Sequence, residues 1–290
     1  MALSAGANIE STDVVLDFAS LEDRLPDLRD RYREANPFPH IVLDDFLLPE
    51  AARRATEEFP PVDPAQWIHY VHANERKYAN RDPETWGPTL RSVAEGLSSP
   101  RFVRFLSALT GIDELVVDES MEGGGLHQSV AGGFLKIHAD FTVHPQRRQW
   151  RRRVNLLIYF NDEWPEQYGG ELEFWSADMR RRERAVAPLG NRVVIFNTDP
   201  DSLHGHPEPL QCPQGCARRS MALYYFTVED KPFVRSTDYR ARPGEGPRAV
   251  LMYFDTQALR MYDWLKRRLG ISDETASKLL ERVDRFRRKP

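Results

Sequence analysis

"RVNLLIYFNDEWPEQYGGELEFW" (residues 153–175) holds two short apolar runs, and turn-forming residues separate them. Gly169 and Gly170 suit a tight turn directly before the second run, "ELEFW". Parallel strands would need an intervening helix, and the segment between the two runs shows no helical pattern. The stretch therefore predicts antiparallel strands.

The same pattern extends over residues 114–229, where short apolar runs alternate with Gly, Pro, Asn and Asp. Many short strands at such spacing are typical of an all-β sandwich or barrel. A jelly-roll sandwich fits best, because its interior can hold a metal and a small ligand. The expected fold class is mainly β with flanking helices (α+β). The helices are predicted over residues 20–35, 50–59, 89–97, 99–111, 251–270 and 272–289.

The domain organisation follows from this pattern. Residues 1–230 are expected to form one domain, with the β core at about 114–229 and helical support before it. Residues 231–290 are expected to form a C-terminal helical extension that covers the barrel, with a homodimer contact as the alternative role. Further strands are predicted over residues 13–18 and 37–49, and an aromatic-rich loop over residues 62–88.

Composition excludes several classes of protein. Of the 290 residues, 41% are hydrophobic and 29% charged, as in a soluble globular protein. The first residues lack the features of a signal peptide, and no apolar run approaches the roughly 18 residues of a membrane span. Two cysteines, Cys212 and Cys216, are too few for a disulfide framework. These features predict a cytoplasmic protein with no membrane partner.

Basic residues are concentrated near the C-terminus. Residues 231–290 carry 15 Lys and Arg against 8 Asp and Glu, although the whole chain has a net charge of −4. Acidic residues are interleaved there at helical spacing, which is typical of a solvated helix face. We therefore expect no nucleic-acid partner.

A His-x-Asp motif ends the apolar run "GGFLKIHADF". Alternate residues of a strand face the same side, so His138 and Asp140 are expected to share a face with Phe134 and Lys136. A buried carboxylate without a partner is costly, and a divalent metal ion removes that cost. The pair therefore predicts two ligands of a metal site.

A third ligand is expected after the apolar run "NRVVIFN", where a turn leads to His204 and His206. Two histidines and one carboxylate form the facial triad of non-haem iron(II) oxygenases, which leaves coordination positions open. His144 is closer in sequence, but Pro145 ends the strand and predicts a loop position near the pocket mouth for His144. The run "RRQWRRR", residues 147–153, is expected in a solvated loop beside that mouth.

A cation is expected inside the same barrel. The run "CARRSMALYYFTV" places Arg218 or Arg219 at the start of an aromatic-rich strand. An arginine inside a barrel needs an anion, and its planar guanidinium group suits a carboxylate.

Four stretches, taken in their order along the chain, resemble the Fe(II)/2-oxoglutarate-dependent dioxygenases. They are "HAD", "RVNLLIYFNDEWPEQYGGELEFW", "NRVVIFNTDPDSLHGHP" and "RRSMALYYF". The similarity is to the prolyl 4-hydroxylase-like group, with its double-stranded β-helix (jelly-roll or cupin-like) core, and covers about residues 114–229. It implies Fe(II), 2-oxoglutarate as cosubstrate, O2, and ascorbate as a supporting reductant.

The resemblance places the metal ligands at His138, Asp140 and a distal histidine, for which the spacing from the preceding strand favours His204 over His206.

The resemblance also implies residues that bind 2-oxoglutarate. The basic residue for its far carboxylate falls on Arg219, counted back six positions from Tyr225, so that Arg218 would face the other way. Tyr159 matches a position that hydrogen-bonds the same carboxylate. A further contact matches Gln128 or its neighbour His127, where this chain departs from the family pattern.

The activity implied is hydroxylation of an unactivated C–H bond in a small molecule or a peptidyl, proline-like substrate, with release of succinate and CO2. Asp140 favours hydroxylation, because related halogenases carry a small residue there. The alternatives are a cupin-like metal enzyme without 2-oxoglutarate and a catalytically silent β-sandwich binding module. A buried arginine opposite the metal argues against the first, and a complete ligand triad against the second.

Overall fold

The computed structural model describes residues 15–246, together with Met252 and Gln257. Helix α5 (Pro100–Thr110) has Ser99 as its N-cap, and the Oγ of Ser99 accepts a hydrogen bond from the backbone N–H of Phe102. Its C-cap is Gly111, with φ 70°. The predicted helix over residues 20–35 divides into two helices at Arg24. The helices of this part of the chain are α1 (Phe18–Asp23), α2 (Leu25–Glu34), α3 (Pro49–Glu57), α4 (Pro88–Ser98) and α5 (Pro100–Thr110).

From β4 onward the strands follow the predicted spacing and are joined by turns and loops rather than crossover α-helices. They are β1 (His40–Leu43), β2 (Ile68–Val71), β3 (Glu75–Asn80), β4 (Val116–Val117), β5 (Gly125–Val130), β6 (Phe134–Ala139), β7 (Trp150–Tyr159), β8 (Leu172–Trp175), β9 (Arg182–Val186), β10 (Val193–Asn197), β11 (His204–His206), β12 (Ala217–Val228) and β13 (Asp238–Tyr239).

One antiparallel sheet connects these strands in the order β1-β10-β7-β12-β5-β3-β6-β11-β8-β9. Strands β2, β4 and β13 add to it at β3, β12 and β6. The sheet curls into a half-barrel, and this is the double-stranded β-helix expected from the sequence.

Strand β7 shows why the sheet has a helix-covered face and an inner face. Val154, Leu156 and Ile158 pack in the main hydrophobic core with residues of the helices. The alternate residues point away from the helices, and Tyr159 packs in a separate inner cluster with phenylalanines of β8 and β10. Functional side chains can therefore be assigned to a face from strand register alone.

Two elements differ from the sequence-based expectation. Residues 62–88, predicted as a loop, contain the β2–β3 hairpin and a short 3₁₀ turn, Pro83–Thr85. The hairpin lacks apolar alternation because β3 carries Glu75 and Lys77 on alternate positions. The strand predicted over residues 13–18 is wrong where the structure describes it, because Val15 is in a turn and α1 begins at Phe18.

The C-terminal segment is described only in part. Residues 231–246 form loops, turns and the short strand β13 rather than a helix, and Tyr239 of β13 lies opposite His138. The helices predicted over 251–270 and 272–289 lie outside the described residues, apart from Met252 and Gln257. No helix within the described residues is both long enough and apolar enough to span a bilayer.

Candidate metal centre

Three side chains converge at the inner face of the half-barrel. His138 is the penultimate residue of β6, Asp140 follows that strand, and His204 begins β11. One ligand atom from each lies within 4.8 Å of the other two. His138 and His204 are opposite each other in the β6–β11 pair, so main-chain pairing positions both imidazole rings.

A β-bulge accompanies this pair. His206 lies opposite Leu135 rather than Lys136, so β6 has one extra residue between the two pairs. The bulge places Leu135 on the face of His138, where simple alternation had predicted Phe134.

Backbone carbonyl groups fix the orientation of both rings. The Nδ1 of His138 lies 2.9 Å from the carbonyl oxygen of Lys136, and the Nδ1 of His204 lies 2.9 Å from that of Ser202. These contacts assign the Nδ1 hydrogen to each carbonyl and leave Nε2 available as a metal ligand. Burial lowers the pKa of His204 to about 4, although Asp140 opposes that shift, so the ring is neutral at pH 7.

The Asp140 carboxylate is held by two residues of β7. Asn155 Nδ2 donates to Asp140 Oδ2 at 2.7 Å, and Arg152 Nη2 lies 3.3 Å from the same oxygen. Arg152 also donates from Nε to Asn155 Oδ1 at 2.8 Å. Burial acts to raise the pKa of the Asp140 carboxyl, but Arg152 and the two histidines outweigh it and hold that pKa well below its usual range. Two imidazoles and one carboxylate therefore meet at one point, a donor set that fits Fe(II).

Arg152 corrects the prediction of a solvated loop for residues 147–153. Its side chain is only 2% exposed, and its guanidinium carbon lies 3.4 Å from the ring centroid of Tyr224. The sequence does not separate it from neighbouring arginines, which are more exposed. By simple alternation Arg153 would share the face of Asn155, and a β-bulge in the β7–β12 pair places Arg152 there instead, so no local sequence signal identifies it.

Arg218 is the arginine on the inner face. It donates from Nη2 to the Tyr159 hydroxyl at 3.0 Å and from Nε to the carbonyl oxygen of Gly170 at 2.7 Å. Arg219 points to the helix-covered face, where its guanidinium carbon lies 5.7 Å from the ring centroid of Phe59. The structure therefore places Arg218, rather than the predicted Arg219, on the inner face.

Two adjacent tyrosines of β12 also face opposite sides of the sheet. Tyr225 faces the helices and donates its hydroxyl hydrogen to the carbonyl oxygen of Leu97. Tyr224 faces inward against Arg152, and six positions before Tyr224 is Arg218.

The same register corrects the assignment of Gln128. Gln128 lies opposite Arg219, and its Nε2 donates to the carbonyl oxygen of Pro60 beside the helices. His127 lies opposite Ser220, which lies opposite Tyr159, so His127 is the neighbour on the inner face. Burial lowers the pKa of His127 to about 3, and the nearby charge of Lys77 adds to this shift.

The two remaining histidines occupy different places. His206 is buried, and its Nδ1 has no hydrogen-bond partner among the described residues. His144 is not near the mouth as predicted: it is 2% exposed, and its Nε2 lies 3.0 Å from Asp118 Oδ2. Its Nδ1 accepts hydrogen bonds from the backbone N–H groups of Gln146 and Arg147, so His144 stabilises the turn after Pro145.

The curled sheet and its His-Asp-His donor set define a metal-binding double-stranded β-helix protein. Residues 124–226 match the model of a family described as the 2OG-Fe(II) oxygenase superfamily. This matched core contains the three candidate ligands together with Arg218 and Tyr159, so the chain is similar to that superfamily over these residues. Fe(II) and 2-oxoglutarate are the metal and cosubstrate of the family.

Individual relatives agree with this assignment. The prolyl 3,4-dihydroxylase OGFOD1 of Ostreococcus tauri is 27% identical over 183 residues, which cover 57% of this chain and 33% of that protein. The chain thus spans about a third of the curated relative that it matches.

Solved structures share the fold. A Pseudomonas putida prolyl-4-hydroxylase has a TM-score of 0.50 and 18% identity, and the match covers 70% of this chain and 99% of that one. A Trichoplax adhaerens prolyl hydroxylase in complex with a hypoxia inducible factor peptide fragment has a TM-score of 0.50 and 14% identity, covering 72% and 91%.

Proposed function

We propose that this chain is an Fe(II)- and 2-oxoglutarate-dependent dioxygenase whose metal ligands are His138, Asp140 and His204. The convergence of these three donor atoms within 4.8 Å of one another carries the proposal. When bound, the metal and cosubstrate supply the oxidation of a C–H bond by O2, with release of succinate and CO2. The chain's own residues supply binding, orientation and charge.

Arg218 and Tyr159 are proposed to bind the far carboxylate of 2-oxoglutarate. The Tyr159 hydroxyl accepts a hydrogen bond from Arg218, so its own hydrogen is available for a carboxylate oxygen. Burial raises the pKa of Tyr159, although the nearby Arg218 opposes that shift, and the phenol therefore stays protonated. A buried guanidinium group and a phenol together form an anion site with fixed geometry.

Arg152 and Asn155 are proposed to act as positioning residues. Both contact Asp140 Oδ2, so they limit rotation of the carboxylate between the two histidines. Loss of a hydrogen-bond partner of a metal-binding carboxylate typically lowers metal affinity or activity by about 10–100-fold.

The substrate is proposed to be a small molecule or a peptide with a proline-like residue. Its support is the resemblance to prolyl hydroxylases, one of which is solved in complex with a peptide fragment. We also propose a cytoplasmic location, since Cys212 and Cys216 are both free thiols and fit a reducing compartment.

Succinate formation tests the proposed ligands. His138→Ala and Asp140→Ala should each reduce Fe(II)-dependent conversion of 2-oxoglutarate to the level measured without iron, because each removes a ligand. His206→Gln should retain one bound metal ion per chain, measured by equilibrium dialysis with Mn²⁺. Succinate release by Asp140→Ala at the wild-type rate would exclude the assignment.

A further inference from the structure

Lys77 and Glu75 form a charged pair inside the half-barrel that the metal centre and the 2-oxoglutarate site leave unassigned. The Nζ of Lys77 lies 3.3 Å from Glu75 Oε2, and the two side chains are 17% and 10% exposed. His72 Nε2 lies 3.0 Å from the other oxygen, Glu75 Oε1. Charged groups at this depth are costly unless they have partners, so the pair needs a reason to be there.

Strand register places the pair on the inner face. Ala79 of β3 lies opposite His127, which belongs to the inner face with Tyr159. Alternation along β3 brings Lys77 and Glu75 to the same face as Ala79. The pairing of Glu75 with Leu135, which is also opposite His206, agrees with this placement.

The ammonium group of Lys77 can donate more hydrogen bonds than its ion pair with Glu75 uses. An ammonium group has three donors, and among the described residues Glu75 is the acceptor and ion-pair partner of Lys77. Both oxygens of Glu75 are already contacted, by His72 and by Lys77. The pair therefore presents donors, not acceptors, to a ligand in the pocket.

Lys77 remains a cation despite its burial. Burial acts to lower the pKa of Lys77, but the attraction of Glu75 and smaller contributions from other groups together outweigh it, so the pKa is raised. Tyr224 and the metal-centre carboxylate Asp140 also act to raise the pKa of Lys77, in agreement with its place on the inner face.

The surroundings of the metal centre carry an excess of positive charge. Arg152 contacts Asp140, and Arg235 donates from Nη2 to the Asp140 carbonyl oxygen at 3.0 Å. Lys77 and Arg218 bring the number of cations on this face to four, against the two carboxylates of Asp140 and Glu75. A further carboxylate, that of Asp238, already forms an ion pair with Arg240. A divalent metal with the dianion 2-oxoglutarate would leave this excess unchanged. An anionic substrate would reduce it.

We propose that Lys77 binds a carboxylate of the substrate and thereby makes the enzyme selective for substrates that carry an anion beside the oxidised C–H bond. This inference rests on the proposed function and specifies its substrate class. The carboxylate can belong to a small amino-acid derivative or to an acidic residue of a peptide, and the two sources present the same chemistry to Lys77.

Matched pairs of compounds test the proposal. The small probes are N-acetyl amino acids, including N-acetyl-L-proline, each compared with its carboxamide, and the peptide probes place Asp or Asn next to a proline. Carboxylates should stimulate succinate release with a kcat/KM about tenfold or more above their amides, since a charge-assisted hydrogen bond discriminates by at least that factor. The responding probe set identifies the source of the carboxylate.

Variants separate recognition from a structural role. Lys77→Met should remove the preference for the acid, whereas Lys77→Arg should retain part of it. The double variant Lys77→Met/Glu75→Gln removes both charges and tests whether the single variant merely misfolds. Lys231→Met, which changes an exposed lysine, is the matched control and should keep the preference. A purely structural Lys77 would lower the values for acid and amide equally.

Calorimetry on the Mn²⁺-loaded protein provides a readout without turnover. The acids should bind the wild type and not Lys77→Met.

If wild type forms succinate but no probe stimulates it, or amides match acids, the Lys77 proposal is wrong and the proposed function stands. If no succinate forms but acids still bind through Lys77, the proposed function is wrong and anion binding by Lys77 stands. Loss of 2-oxoglutarate binding by Lys77→Met, with the acid preference intact, would assign Lys77 to the cosubstrate and overturn the proposal.

Discussion

At the scale of single residues, the inner face of β12 selects between two adjacent arginines. Arg218 contacts Tyr159 and the Gly170 carbonyl, whereas Arg219 lies beside Phe59 on the helix-covered face. Only one of the two guanidinium groups can therefore meet an anion in the barrel, although they have the same chemistry.

This difference predicts a matched pair of variants. Arg218→Met should raise the KM for 2-oxoglutarate by about thirtyfold or more, because truncating one partner of a buried charge pair costs at least about 2 kcal/mol. Arg219→Met should leave that KM near the wild-type value. Steady-state succinate assays at varied 2-oxoglutarate check both variants, and equal effects would contradict the assignment.

At the scale of elements, the β6–β11 pair connects two of the metal ligands, and Gly205 allows its bulge. A Cβ at Gly205 would lie 2.7 Å from the carbonyl oxygen of Leu135 and 2.8 Å from that of Lys136. Backbone oxygens cannot move away as a flexible side chain could, so β11 would have to shift. His204 and His206 flank this position.

Gly205→Ala should therefore weaken metal binding by about tenfold or more, since a displacement of His204 alters the ligand geometry directly. Gly111→Ala serves as the comparison, because Gly111 has φ 70° and open space around its Cα. That variant should lose about 1 kcal/mol of stability from backbone strain and keep its metal affinity. Mn²⁺ titration together with urea unfolding distinguishes these outcomes, and unchanged metal affinity in Gly205→Ala would contradict the role of the bulge.

At the scale of the whole molecule, the metal centre joins segments that are distant in sequence. The donors of β6 and β11 lie at opposite ends of a chain segment that forms β7 to β10, and Asp140 is also held from β7. A bound metal ion therefore links parts of the sheet that are brought together only in the folded state.

Metal binding should accordingly raise the thermal stability of the apoprotein. Mn²⁺ at about 100 times its Kd should stabilise by about 2.7 kcal/mol, which for a chain of this size shifts Tm by about 5–10 °C. Differential scanning calorimetry with and without EDTA measures the shift. Asp140→Ala should show little of it, and an equal shift in that variant would place the metal elsewhere.

Local sequence was sufficient to predict the class of fold and the candidate ligands. Strand alternation and turn residues act over a few positions, so "RVNLLIYF" and "ELEFW" identify themselves as β7 and β8. The His-x-Asp spacing places two side chains on one face without reference to the rest of the chain.

Only the tertiary structure decided the residues around that motif. Whether Arg218 or Arg219 faces the barrel depends on the register of β12 with its neighbours, and a one-residue change of register exchanges the faces. The burial of Arg152 and the strand that carries Lys77 depend on contacts from distant segments. Sequence by itself determined the sheet and the metal-binding motif because alternation is local, whereas the cations and the bulge were decided by long-range pairing.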